Sequence, residues 1–229
     1  MTVQLDHLVV AAASLAQGAA WCEATLGVSP GPGGRHALFG THNRLLKIAS
    51  DAYPELYLEI IAIDPDPDPH LDPDAPPPPR PRWFGLDDPA LQAGLAADGP
   101  RLIHVVARST MLDMHRWGLI TVGHQPGEPV RAHRDTPDGR LEWEILVRPD
   151  GALLCGGALP TLIQWRGTHP AAAMPDSGIS LRALTLTGLP DRARQVLRLR
   201  GVATGAAGAP ALSARLDTPL GPVMVNSKP

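Results

Sequence analysis

Four residues have the types and spacing to do chemistry together: His7, Glu59, His104 and Gln164. Side chains alternate along a strand, so in Leu5-Asp6-His7-Leu8-Val9 the imidazole shares a face with Leu5 and Val9. By the same rule His104 sits with Leu102 and Val106, Glu59 with Tyr57 and Ile61, and Gln164 with Leu162. A carboxylate in so apolar a strand is costly to bury unless it is paired or coordinated. Two imidazoles, a carboxylate and an amide oxygen that converge can bind a divalent cation and leave a position open for water or substrate. The competing reading is a pair of hydrogen-bonded core histidines and a glutamate matched by an arginine.

The elements that must position these groups follow from local signals. Residues 3–10 read as a strand, and Ser14 with Gln17 forms a capping-box start for a helix that Gly27 ends. Short β-prone segments at 36–39, 44–48 and 56–63 follow, with turns expected at 40–43 and 50–54. This is a βαβββ module. A second begins after a helix led by Asp88-Pro89. It comprises a strand at 101–108, a short helix capped by Thr110, a hairpin of 128–134 and 140–147 about Thr136-Pro-Asp-Gly139, and a strand at 159–165. Leu5-Asp-His7 corresponds to Leu102-Ile-His104, and Tyr57-Leu-Glu59 to Leu162-Ile-Gln164, which predicts an internal duplication.

The expected fold class is therefore α+β: paired βαβββ modules forming a curved mixed sheet around a cleft. Residues 1–66 would be the first module and 86–170 the second. Between them, the Asp-Pro repeats and Pro76–Pro79 run of segment 64–82 predict an extended crossover outside both sheets, centred on 67–85. Residues 171–229 add a strand, a helix and a hairpin around Thr218-Pro-Leu-Gly221 as a partial third module.

Further polar residues could line the cleft. His36 and Asn43 flank the second strand, although Thr41 and Asn43 could equally satisfy turn amides. Glu142 and Glu144 share one strand face, and Glu144 is a candidate base at the cleft mouth if that face is not simply solvated. His133 and Arg134 could bind an anionic substrate, and Trp165 could stack on a ligand or merely pack.

Composition narrows the classes of function. With 44% hydrophobic and 19% charged residues, the chain has enough apolar material for a core and is unlike disordered sequences. A net charge of −3 with scattered arginines offers no field for a phosphate backbone, so nucleic acid is not an expected partner. No apolar run is long enough to span a bilayer and no signal-peptide pattern opens the chain, so a cytoplasmic protein is expected. Cys22 and Cys155 lie in apolar surroundings and read as reduced thiols.

Through Leu-Asp-His-Leu-Val-Val (5–10), Gly-Gly-Arg-His-Ala-Leu-Phe-Gly-Thr-His-Asn (33–43), Tyr-Leu-Glu-Ile-Ile (57–61) and Leu-Pro-Thr-Leu-Ile-Gln-Trp (159–165), the chain resembles glyoxalase-like domain proteins of the vicinal oxygen chelate superfamily. The resemblance covers about residues 3–170. It implies a divalent metal ion (Zn, Ni, Mn or Fe) held by His7, Glu59, His104 and Gln164, with glutamine where the superfamily often has a second glutamate. It implies a lyase or isomerase acting on a small oxygenated molecule that chelates the metal, with Glu59 or Glu144 as base. Two alternatives stand beside it: a metal-free protein that binds or sequesters a small molecule, and a non-haem Fe(II) dioxygenase. A small-molecule ligand is the expected partner, and a homodimer is open.

Overall fold

The computed structural model describes residues 3–65, 81–136, 139–205, 208–209 and 211–227. Most of the expected proline-rich crossover, and the two central residues of the Thr136–Gly139 turn, lie outside the described residues.

The first module runs β1 (Gln4–Ala11), α1 (Leu15–Leu26), β2 (Arg35–His36), β3 (Thr41–Lys47) and β4 (Tyr57–Ile63). Ser14 caps α1 by accepting from the Gln17 backbone N–H, and Gly27 ends it in the left-handed conformation at φ 75°. Helix α1 sits close on the sheet because Gly18 carries no Cβ; one placed there would lie 2.4 Å from Ile60 Cγ2. The turn expected over 40–43 is shorter than that. The segment expected as a strand at 36–39 bends as a 3-10 turn over Ala37–Phe39, which Gly40 ends at φ 56°, and Thr41, His42 and Asn43 already belong to β3.

After α2 (Pro89–Asp98), the second module runs β5 (Arg101–Arg108), α3 (Leu112–Thr121), β6 (Glu128–Thr136), β7 (Gly139–Val147) and β8 (Thr161–Arg166). The two modules share one curled eight-stranded sheet of order β2-β3-β4-β1-β5-β8-β7-β6. In each half the first strand pairs in parallel with the last, and the two first strands meet antiparallel at the centre. One sheet face packs Leu8, Val10, Leu58, Ile60, Val105 and Leu162 into the main core on the helix side. The other face carries Val9, Ile61, Val106, Trp143, Ile145 and Ile163, joined by Trp83 and Phe84, and forms the cleft.

Strict alternation fails at one position in each central strand. Leu5 pairs with Ala107 and His7 with Val106, which leaves Asp6 as an extra residue; Val9 pairs with His104 and Val10 with Leu102, which leaves Ile103 extra. These are β-bulges at corresponding places of the repeat, each immediately before the histidine. Leu5 and Leu102 consequently belong to the helix-side core, not to the histidines' face as simple alternation predicts. Asp6 and His7 are thereby able to act on the same network although they are neighbours in sequence.

The C-terminal region forms β9 (Ser180–Thr187), α4 (Asp191–Leu197), β10 (Val202–Thr204), β11 (Ala211–Thr218) and β12 (Gly221–Asn226). Its element string repeats strand-helix-strand-strand-strand, but its sheet order is β10-β9-β11-β12. Leu181, Leu184, Leu186, Leu212 and Leu216 pack it into the helix-side core, away from the cleft. Among the described residues no helix is long and apolar enough to cross a membrane.

Candidate functional site

His7 projects from the bulge in β1 into the cleft. Its Nδ1 lies 2.6 Å from Asp6 Oδ1, so the ring donates there and directs Nε2 into the cavity. Tyr57, its partner across β4, stacks on the ring at 4.6 Å and 21° and fixes its plane. The Asp6 carboxylate is fully buried. Its other oxygen accepts from Trp165 Nε1 at 2.8 Å and lies 3.0 Å from His169 Nε2. Burial by itself would raise the Asp6 pKa, but the hydrogen bonds from His169 and His7 outweigh it and hold the carboxyl well below the usual range. Burial and the carboxylates of Asp6 and Glu59 push the Tyr57 phenol well above its ordinary value, so it stays protonated.

Glu59 faces His7 from β4, with 3.5 Å between Oε2 and His7 Nε2. That is too long for a strong hydrogen bond and leaves both atoms able to engage a third group placed between them. Its other oxygen accepts from Asn43 Nδ2 at 2.6 Å, and Asn43 Oδ1 accepts from the Gly34 backbone N–H at 2.8 Å. Gly33 permits this close passage, since a Cβ there would lie 2.0 Å from the Asn43 backbone oxygen. His36 lies 3.1 Å from Thr41 Oγ1, which also accepts from Trp83 Nε1 at 3.2 Å. Its ring packs edge-on to Trp83, and burial together with the nearby Arg134 charge lowers its pKa to about 3. His36 is neutral near pH 7.

His104 opens on the cleft side of β5 and is buried against Phe84 at 5.3 Å. Both ring nitrogens are committed. The Thr161 backbone N–H donates to Nε2 at 3.1 Å, with the Thr161 hydroxyl at 2.9 Å, and Nδ1 donates to the Gly157 carbonyl at 3.0 Å. Burial drives its pKa down to about 3.

The structure thus brings His7, Glu59, His36, Asn43, Arg134 and Trp165 around one cavity of about 40 Å³. It places three other candidates elsewhere. Gln164 lies on the helix side, where its Oε1 accepts from the Leu112 backbone N–H and caps α3. Glu144, paired with Gln164 across β7 and β8, forms ion pairs with Arg131 and Arg166 on that same outward side. His133 is exposed and pairs in register with Glu142, whereas its neighbour Arg134 points inward. A base role for Glu144 and a ligand role for Gln164 therefore have no geometric support.

The second half registers three residues away from the alignment of Glu59 with Gln164. Val9 pairs with Glu59 and Val106 pairs with Thr161, so the counterpart of Glu59 is Thr161 and not Gln164. This bears on the metal that the family resemblance implies. His7 Nε2 and Glu59 Oε2 are near enough to share a cation, but His104 has no free lone pair, Thr161 replaces the second carboxylate and Gln164 faces away. Among the described residues no group of three His, Cys, Asp or Glu is placed to hold a metal ion. The donor set does not fit the expected four-ligand centre or a two-His, one-carboxylate iron site.

Sequence reasoning passed over Asp6, Tyr57, Thr161, Trp83 and His169. A carboxylate beside His7 in an apolar strand was itself a signal, because such a group needs partners if buried. No local pattern announces the other four.

Leu45, Arg134, Leu141 and Pro170 line both this cavity and a neighbouring outer groove of about 880 Å³. The inner space holds only a few atoms, while the groove is of a size that accommodates a whole small-molecule ligand.

Comparison with known proteins bears on the same fold. A family model described as a glyoxalase-like domain matches residues 5–215. Among curated proteins nothing matches. Of solved structures, a hypothetical protein from Staphylococcus aureus superposes with a TM-score of 0.54 at 14% identity, over 82% of this chain and 70% of that one. A variant of methylmalonyl-CoA epimerase from Streptomyces coelicolor, in complex with 2-nitronate-propionyl-CoA, gives 0.41 at 15% identity over 76% and 100% of the chains. Methylmalonyl-CoA epimerase from Mycobacterium tuberculosis gives 0.37 at 17% identity over 74% and 91%.

Proposed function

The chain belongs to the glyoxalase-like domain family, and from that premise we propose that it is a small-molecule enzyme of the isomerase or lyase type that moves a proton between His7 and Glu59. The observation that carries this reading is the 3.5 Å gap between His7 Nε2 and Glu59 Oε2, inside a cavity lined by aromatic side chains. A proton on a substrate carbon beside a carbonyl can be taken by one of the two groups and returned by the other. Asp6 orients the imidazole, as Asn43 orients the carboxylate. Arg134, 3.4 Å from Asn43 Oδ1, is positioned to face an oxygen that gains negative charge. Trp83, Phe84, Trp143 and Trp165 give the cavity apolar walls, which strengthen each of these interactions.

A metal supplies carbonyl polarisation in many members of such a fold family, but the donor set described above gives it no place in these steps. That same loss of ligands favours a second reading, a binding protein that uses the cleft without turnover.

Deuterium incorporation from D2O, followed by proton NMR, separates the two. A panel of small hydroxy ketones, 2-oxo acids and 3-oxo acids is incubated with the wild-type chain, His7→Asn and Glu59→Gln. Exchange beside the carbonyl in the wild type, lost in both variants, is the expected result. Saturable binding of panel members with no exchange would establish the binding protein instead.

A further inference from the structure

We propose that the molecule acted on carries a carboxylate, and that Arg134, which borders the inner cavity and the outer groove, is its receptor. The inference rests on the proton-transfer reading only for where the reacting atoms lie; the receptor has its own observations.

Arg134 lines both spaces. Its neighbours on the hairpin are matched by acids, Arg131 by Glu144 and Arg140 by Asp135, but among the described residues no carboxylate lies within ion-pair distance of Arg134. Its Nε is buried without a hydrogen-bond partner, and Nη1 makes only the long 3.4 Å contact to Asn43. A buried guanidinium N–H lacking an acceptor is destabilising, so its retention asks for a ligand. The planar guanidinium fork is the arrangement that takes both oxygens of a carboxylate.

The surrounding backbone makes room for this side chain. A Cβ on Gly34 would lie 2.5 Å from Arg134 Cδ and 2.6 Å from Nη1. Glu59 is reached from Arg134 only through Asn43, so the guanidinium is not consumed by the acid–base pair. Size imposes a further constraint. About 40 Å³ admits the reacting fragment alone, so the remainder of any larger molecule must pass Arg134 into the groove. Lys47 borders that groove together with Arg140 and Arg166, which are ion-paired, and with one acid, Asp176.

The test is a titration of the full chain with acetate, lactate and succinate, and with acetamide, lactamide and succinamide, read by intrinsic fluorescence. Trp83, Trp143 and Trp165 line the cavity and report occupancy. At least one acid should bind saturably and its amide at least tenfold more weakly. Arg134→Gln should weaken the acid roughly ten- to hundredfold, the range for a hydrogen bond to a charged group. Arg131→Gln, on the outward face of the same strand, should bind it with unaltered affinity, and saturable acid binding in a chain that shows no deuterium exchange separates failure of the acid–base pair from failure of the receptor. Equal binding of acid and amide, no saturable binding by any acid, or wild-type affinity in Arg134→Gln would each overturn the proposal. So would tighter binding of inorganic phosphate than of the best acid. If Arg134→Gln does not fold, the acid-against-amide comparison in the wild type decides.

Discussion

Thr161 stands against His104 as Glu59 stands against His7: the hydroxyl of one is 2.9 Å from Nε2, the carboxylate of the other 3.5 Å. The duplicated halves therefore share backbone, bulge and histidine, and differ in the group facing the histidine. In the first half the imidazole has an acceptor and an open approach. In the second, hydrogen bonds to both ring nitrogens close it into the core.

Metal retention should depend on this asymmetry. Thr161→Glu would place a second carboxylate beside His104 and should raise zinc or nickel retained after dialysis, measured by elemental analysis, toward one ion per chain. Gln164→Glu should leave retention unchanged, because that side chain caps α3 on the other face and a glutamate can still accept from Leu112. Equal effects of the two substitutions would show that the halves are not registered as described.

Asp6 should govern stability above the carboxylate range. Its pKa is depressed in the folded state, so the stability it contributes is complete above its unfolded value of about 3.9 and is lost as pH falls through the folded value. Asp6→Asn should therefore be destabilised by roughly 2–4 kcal/mol at pH 7, since His7, His169 and Trp165 all lose their charged acceptor. Urea unfolding at pH 7 and at pH 3 checks this, and the gap between variant and wild type should narrow at the lower pH.

His36 and His104 should give the protein a decline in stability at mildly acidic pH. Both are held at about 3 in the folded state against about 6.5 for a free imidazole. The unfolded chain binds more protons between those values, so stability is full above pH ~6.5 and falls toward pH ~3. His36→Gln should flatten part of that slope in thermal melts taken from pH 7 to pH 4. An unaltered slope would mean that His36 is charged in the folded protein.

Gly33→Ala should damage the site without altering any polar group in it. The new Cβ would meet backbone, 2.0 Å from the Asn43 oxygen and 2.5 Å from its carbonyl carbon, so β3 must shift. A loss of about 1–3 kcal/mol is expected, with weaker ligand binding because Asn43 orients Glu59. Calorimetry on the variant measures the first and fluorescence titration the second.

Much of this molecule is legible in local sequence. Ser14, Gln17 and Gly27 specify α1 through caps that need only their immediate neighbours, and the repeated Leu-x-His segments mark the start of each module. Glu59 in an apolar strand was rightly conspicuous, because burying a charge demands a partner wherever it occurs. What local pattern could not decide was register. Gln164 and Thr161 both sit in a β-prone run, and only the hydrogen bonds between β5 and β8 choose Thr161 as the counterpart of Glu59. Likewise Asp6 reaches the site through a bulge that exists only because β1 pairs with β5, a strand almost a hundred residues away. Arg134 is drawn in and His133 turned out by the pairing of β6 with β7 over the cleft. Residue type and period set which groups could react; non-local strand pairing, which no window of sequence contains, set which of them meet.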